Sequence, residues 1–136
     1  MTFLVERLAE LRAHLDHLRD ISPAVSSREA LSRDISLRND VLFSLLMVAQ
    51  LVIDISGELA ARRGDRFEDY TEAVRRLESD GRFPPDLIRS LERLPGFRNV
   101  LIHEYVALDL DRVIDALHDL EPVERFCRIV AEIEAP

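Results

Sequence analysis

The residues best equipped for chemistry lie in one short segment, LPGFRNVLIHEY, from Leu94 to Tyr105. It carries Arg98, Asn99, His103 and Tyr105. Histidine can move a proton near neutral pH. Arginine keeps its charge and grips phosphate oxygens through two parallel hydrogen bonds. Asparagine adds neutral donors and an acceptor. Together they suit proton transfer beside a phosphate, with no metal required. Leu94-Pro95-Gly96 breaks one helical pattern and can open another, because proline is tolerated at a first helical position. The segment therefore reads as one helix with Phe97, Val100, Leu101 and Val106 as its apolar stripe. Arg98 and Tyr105 fall close to one face, whereas His103 is turned about 140° from Arg98. Two arrangements can bring the arginine and histidine to one phosphate. The arginine side chain bends round the helix, or a second copy of the helix faces the first.

Arg98, the polar Asn99, a short spacer and His103 resemble the motif of the HEPN superfamily. Arginine, four residues, histidine, one residue and tyrosine resemble the motif of its HepT-type toxins. Arg98, Asn99, His103 and Tyr105 match it residue by residue, and the Gly96–Asn99 lead-in and the Glu104 spacer look like it too. The resemblance covers roughly residues 30 to 130, more loosely outside the motif. It implies a HEPN-like helical domain over residues 1–136. It also implies a metal-independent endoribonuclease toxin of a bacterial toxin–antitoxin pair, with RNA as substrate and no cofactor. In the implied mechanism His103 takes the proton of a ribose 2′-OH, which attacks the adjacent phosphorus. Arg98 stabilises the transition state, and Asn99 orients the phosphate or the imidazole. Tyr105, by the same resemblance, accepts AMP from an MntA-like nucleotidyltransferase antitoxin. On chemistry alone Tyr105 can instead stack on a base, bind phosphate, or sit half-buried at an edge. The rival function is a non-catalytic HEPN helical module that binds a nucleotide or a partner nucleotidyltransferase.

Composition sets limits on these readings. At 136 residues the chain is one domain with room for a useful core. Leucine, valine, isoleucine and alanine dominate, tryptophan is absent and only 4 residues are glycine, which points to an all-α protein. The net charge of −8 argues against broad, non-specific nucleic-acid binding and favours the rival function. The charge is uneven: four arginines face three acids between residues 82 and 105, and eight acids face three arginines beyond. Cys127 is the only cysteine, so a reducing, cytoplasmic setting is expected. Its apolar helical surroundings mark it as core rather than nucleophile. The first ten residues carry acids and no long apolar run, unlike a signal peptide or a membrane anchor.

The supporting elements read as an up-and-down helical bundle. Residues 2–20 form a first helix with Leu4, Leu8, Leu11, Leu15 and Leu18 as its seam, ended by Ser22-Pro23. His14 and His17 should lie on its solvated face; a metal reading of the pair is weaker. Ser26 or Ser27 caps a second helix from about Arg28 to Arg63. Its stretch from Val41 to Ile55 is apolar except for Ser44, Gln50 and Asp54. That stretch is too short and interrupted to span a membrane. It needs burial on every side, some of it expected from a second subunit in a symmetric dimer. Asp54 on this helix either pairs with Arg98, orienting it, or faces solvent and caps a local group. Gly64 ends the helix. Short helices follow from Asp69 or Thr71 to Leu77 and from Asp86 to Arg93. Asp109 and Asp111 form a D-x-D that suits helix capping better than magnesium binding, since no Gly-Ser loop precedes it. Pro122 opens the last helix, with Val123, Phe126, Cys127, Val130 and Ile133 inward.

Overall fold

The architecture is set by one long helix that the others cover. A computed structural model describes residues 2–104 and 106–135. Among the described residues there are eight α-helices and no strand. They are α1 (Phe3–Ile21), α2 (Arg28–Arg33), α3 (Ile35–Arg62), α4 (Tyr70–Arg75), α5 (Pro85–Leu91), α6 (Leu94–His103), α7 (Leu110–Leu117) and α8 (Glu121–Glu134). Single 3₁₀ turns follow α1 and α4, at 22–24 and 76–79. The fold is an all-α, up-and-down bundle.

α3 is central because its sequence leaves no alternative. Val41, Leu45, Val48, Val52, Ile55 and Leu59 are buried, and so are Leu42, Leu51 and Ile53 on its other sides. Burying each such side chain contributes about 1.5–3 kcal/mol. By length and composition α3 could cross a membrane, but 61% of its most apolar window is buried inside the fold. It is the core helix of the bundle. α1 packs along it, and all five leucines of its seam are buried. The direction is antiparallel: His17 Nε2 lies 2.7 Å from Asp40 Oδ1, while His14 Nδ1 lies 3.0 Å from Ser44 Oγ, further along α3.

Those contacts correct the expectation for the two histidines. They turn toward α3 and are half-buried, because α3 supplies polar partners at the flank of the leucine seam. The second helix is also not continuous. Asp34 is extended (φ −109°, ψ 97°) and its carboxylate accepts from Leu37 N–H at 3.1 Å, so it ends α2 and caps α3. Aspartate competes for backbone donors in this way, which makes it a natural break between helices.

Two glycines matter on the α3 side. Gly64 takes φ +76° just after the helix, which a side chain would resist. A Cβ on Gly57 would stand 3.2 Å from the Phe67 ring, so the absence of that carbon lets the following segment lie close to α3. The remaining helices close the bundle. Asp69 caps α4, Pro85 opens α5 and Asp109 caps α7. α8 buries Val123, Phe126, Cys127 and Val130, leaving Ile133 at the margin. Ion pairs Arg19–Glu124 and Arg62–Glu134 tie it to α1 and α3.

Three outcomes test this packing. Phe126 is fully buried against Phe83, so Phe126→Ala should cost about 3–5 kcal/mol in urea unfolding followed by circular dichroism. Asp34→Ala should cost about 1 kcal/mol in the same assay. Burial pushes the Cys127 thiol up to about 11, and the thiolate is the reactive form. Iodoacetamide at neutral pH should therefore leave the folded protein unmodified and alkylate it in urea.

Candidate functional site

α6 is held down by Leu101, which is buried, with Phe97 and Val100 half-buried beside it. Pro95 near its start is buried too. The helix ends earlier than its sequence suggests. His103 is its last residue and Glu104 leaves helical geometry (φ −118°, ψ 28°) while still donating its N–H to Val100 O at 3.0 Å. Val106 is consequently off the stripe and 100% exposed, because the 3.6-residue register stops before it. Tyr105, with its expected alignment with Arg98, lies outside the described residues.

Arg98 is half-buried and engaged on three sides. Its Nε–H donates to Gln50 Oε1 on α3. Its Nη1 donates to Asn99 Oδ1 at 3.0 Å. Its guanidinium carbon stands 5.2 Å from the centre of the Tyr70 ring at the start of α4, in cation–π range. Gln50 Nε2 in turn donates to Asp54 Oδ1 at 2.8 Å. Asp54 thus does not pair with Arg98 directly. Gln50, one helical turn earlier on α3, fills the space between them. The orienting link expected of Asp54 reaches Arg98 through a neutral amide.

His103 is placed differently. It is exposed at the C-terminal end of α6, with no hydrogen bond or ion pair among the described residues. The structure therefore draws Arg98, Asn99, Gln50, Asp54 and Tyr70 into one cluster, with His103 on the same helix about 140° round. Gln50 and Tyr70 were not singled out from sequence. Gln50 was discernible as a polar residue four before Asp54 on an apolar helix. Nothing in the sequence marks Tyr70, since its contact depends on how the 63–69 segment folds back.

Other candidates have local roles. Asp109 accepts from Asp111 N–H at 3.0 Å as the cap of α7, and Asp111 lies 3.5 Å from Arg28. Among the described residues no group of three or more histidine, cysteine or acidic side chains is placed to hold a metal. A cavity of about 280 Å³ lies on the other side of α6, lined in part by Leu45, Val48, Leu94, Phe97 and Leu120. None of Arg98, Asn99 or His103 lines it.

An all-α bundle presenting an arginine, an asparagine and a histidine from one short helix is the arrangement that the resemblance to HepT-type proteins implies. The model of the ribonuclease HepT-like family matches residues 11–130, and the chain belongs to that family. It is similar to the mRNA nuclease HepT of Shewanella oneidensis, 24% identical over 100 residues, covering 72% of this chain and 75% of that protein. It is also 30% identical over 81 residues to a protein of Archaeoglobus fulgidus provisionally named an RNase. That match spans 60% of this chain and 61% of the relative's length, less than two thirds. In fold it is similar to the tri-AMPylated HEPN toxin of Shewanella oneidensis, solved in complex with its MNT antitoxin. The TM-score is 0.84 at 20% identity, over 97% of this chain and 99% of that one. A chain of a toxin–antitoxin complex with AMP-PNP gives 0.83 at 19% identity, over 96% and 99%.

If Tyr70 and Arg98 touch as described, the two are energetically coupled. A double-mutant cycle with Tyr70→Ala and Arg98→Ala in urea unfolding should return about 0.5–1 kcal/mol of coupling. Additive effects would show that the ring and guanidinium do not interact.

Proposed function

We propose that this chain is a metal-independent endoribonuclease, the toxin of a bacterial toxin–antitoxin pair, working as a symmetric dimer in the cytoplasm. One observation carries the reading: Arg98 is oriented at the surface by neutral partners, while His103 stands open to solvent on the same helix. His103 takes the proton from a ribose 2′-OH, and the oxygen attacks the adjacent phosphorus. A P–O bond to the 2′-oxygen forms and the bond to the 5′-oxygen breaks, leaving a 2′,3′-cyclic phosphate and a 5′-OH. The departing oxygen receives a proton from the His103 of the second copy. Arg98 meets the charge that builds on the phosphoryl oxygens. Asn99 holds Arg98 from the side and can reach the phosphate. DNA is spared because it lacks the attacking hydroxyl.

The dimer follows from the angle between Arg98 and His103, which one helix does not close. α3 offers a surface for it. Phe43 is 57% exposed, Met47 is half-buried, and both lead along the helix to Gln50 beside Arg98. A second copy seated there would cover these apolar side chains and bring two sites together.

The partner is an MntA-like nucleotidyltransferase antitoxin that transfers AMP to Tyr105. Support comes from the family and from the tri-AMPylated Shewanella toxin bound to MNT antitoxin. AMP on Tyr105 would add an anion that competes with the RNA phosphate, a local charge and steric block. The net charge of −8 favours the second reading, a non-catalytic module that binds a nucleotide or the nucleotidyltransferase.

Purified protein with single-stranded and structured RNA in EDTA separates the two. Cleavage is expected, with His103→Ala slowed about 10²–10⁴-fold and a 2′-deoxy linkage left intact. Nucleotide binding with no cleavage would establish the module instead. With ATP and the nucleotidyltransferase, wild type should gain AMP by mass and Tyr105→Phe should not.

A further inference from the structure

Gln50 sits between a carboxylate and a guanidinium, and the two neighbours dictate which way its amide points. An ionised aspartate only accepts hydrogen bonds, and an arginine only donates them. Gln50 must therefore turn its NH₂ to Asp54 and its carbonyl oxygen to Arg98, as it does. Reversing the amide would set donor against donor and acceptor against acceptor. Asp54 in this way fixes Gln50, and Gln50 fixes the rotation of the guanidinium about its long axis. Tyr70 flanks the guanidinium. Two of its five N–H groups are committed, Nε to Gln50 and one on Nη1 to Asn99. Among the described residues the two on Nη2 and the second on Nη1 stay available, so phosphate is met at the outer end of the fork.

We propose that Gln50 is a positioning residue which orients Arg98 toward phosphate and insulates it from Asp54, so that the arginine is held in place by a neutral group and keeps its full charge for the substrate. A carboxylate in direct contact would hold the guanidinium equally well but compete with the phosphate as a rival anion. The spacing of one helical turn between Gln50 and Asp54 separates these duties. The amide makes the contact, and the carboxylate, one step removed, decides its orientation. The inference rests on the nuclease reading for its catalytic consequence and on geometry alone for the orientation.

Two measurements keep those apart. The Arg98 Nε–H signal of ¹⁵N-arginine-labelled protein is assigned by its loss in Arg98→Lys. Gln50→Met keeps the side-chain length and removes both amide groups, and should speed exchange of that N–H about tenfold with the fold intact by circular dichroism. Unchanged exchange would overturn the proposal. RNA cleavage is the second arm. Gln50→Met should lower kcat about tenfold with little change in KM, because the lost alignment matters most in the transition state. Gln50→Glu should instead raise KM, as its carboxylate takes the phosphate's place on Arg98. Wild-type kinetics in both variants would also overturn it. If wild type cuts no RNA, the nuclease reading fails, and the exchange arm still decides whether Gln50 orients Arg98.

Discussion

A helix that is apolar on nearly every side has to be covered on nearly every side, and α3 places that demand on the whole chain. α1 answers it along one flank and α6 along another, with α4, α2, the turn at 76–79 and α7 adding to the cover. The few polar groups on α3 then acquire meaning from what covers them. Ser44 and Asp40 meet the two histidines of α1, while Gln50 meets the arginine of α6 and Asp54 stands behind Gln50. Ser44 is buried and Asp40 and Gln50 are half-buried, and in each case the neighbouring helix brings the polar partner. The same requirement that builds the core therefore also determines where the charged end of α6 comes to rest.

The cluster around Arg98 has two mechanical halves. Arginine is clamped by groups on three different helices, whereas histidine projects from the C-terminal end of one. Electrostatic stabilisation benefits most from groups fixed before the reaction, since no reorganisation is then needed as charge develops. Proton transfer asks for reach as well as position, and catalytic hydrogen bonds commonly tighten only when substrate is bound. The unequal restraint of the two residues matches the unequal demands that the proposed mechanism would place on them.

Much of this was visible in the residues alone. The leucine seam of α1, the proline start of α8 and the central burial of α3 follow from periodicity and capping chemistry, and the caps of α4 and α7 were narrowed to Asp69 or Thr71 and to Asp109 or Asp111, of which the aspartates at 69 and 109 serve. Arg98, Asn99 and His103 stood out by type and spacing. What sequence did not yield depends on distance through space. Asp54 invited a direct pairing with Arg98 because opposite charges attract, and nothing local shows that Gln50 lies nearer. Tyr70 reaches Arg98 across a loop whose course is tertiary. The break at Asp34 was masked by helical periodicity continuing on both sides of it, and the early end of α6 by apolar residues that run on to Val106. The histidines of α1 were assigned to water because a leucine seam suggests only two faces, while a third was covered by α3.

Gly57 shows how far one missing side chain can act. The segment after α3 rests Phe67 against the bare α-carbon, and three residues later the chain delivers Tyr70 to the guanidinium. A methyl at position 57 would require the tip of the Phe67 ring to give by a few tenths of an ångström. The aromatic side of the arginine's cradle thus leans on a bare position of α3, seven residues beyond Gln50 and on the same side of that helix. A larger side chain there would press first on the Phe67 ring, a residue outside the cluster on the segment that leads to it.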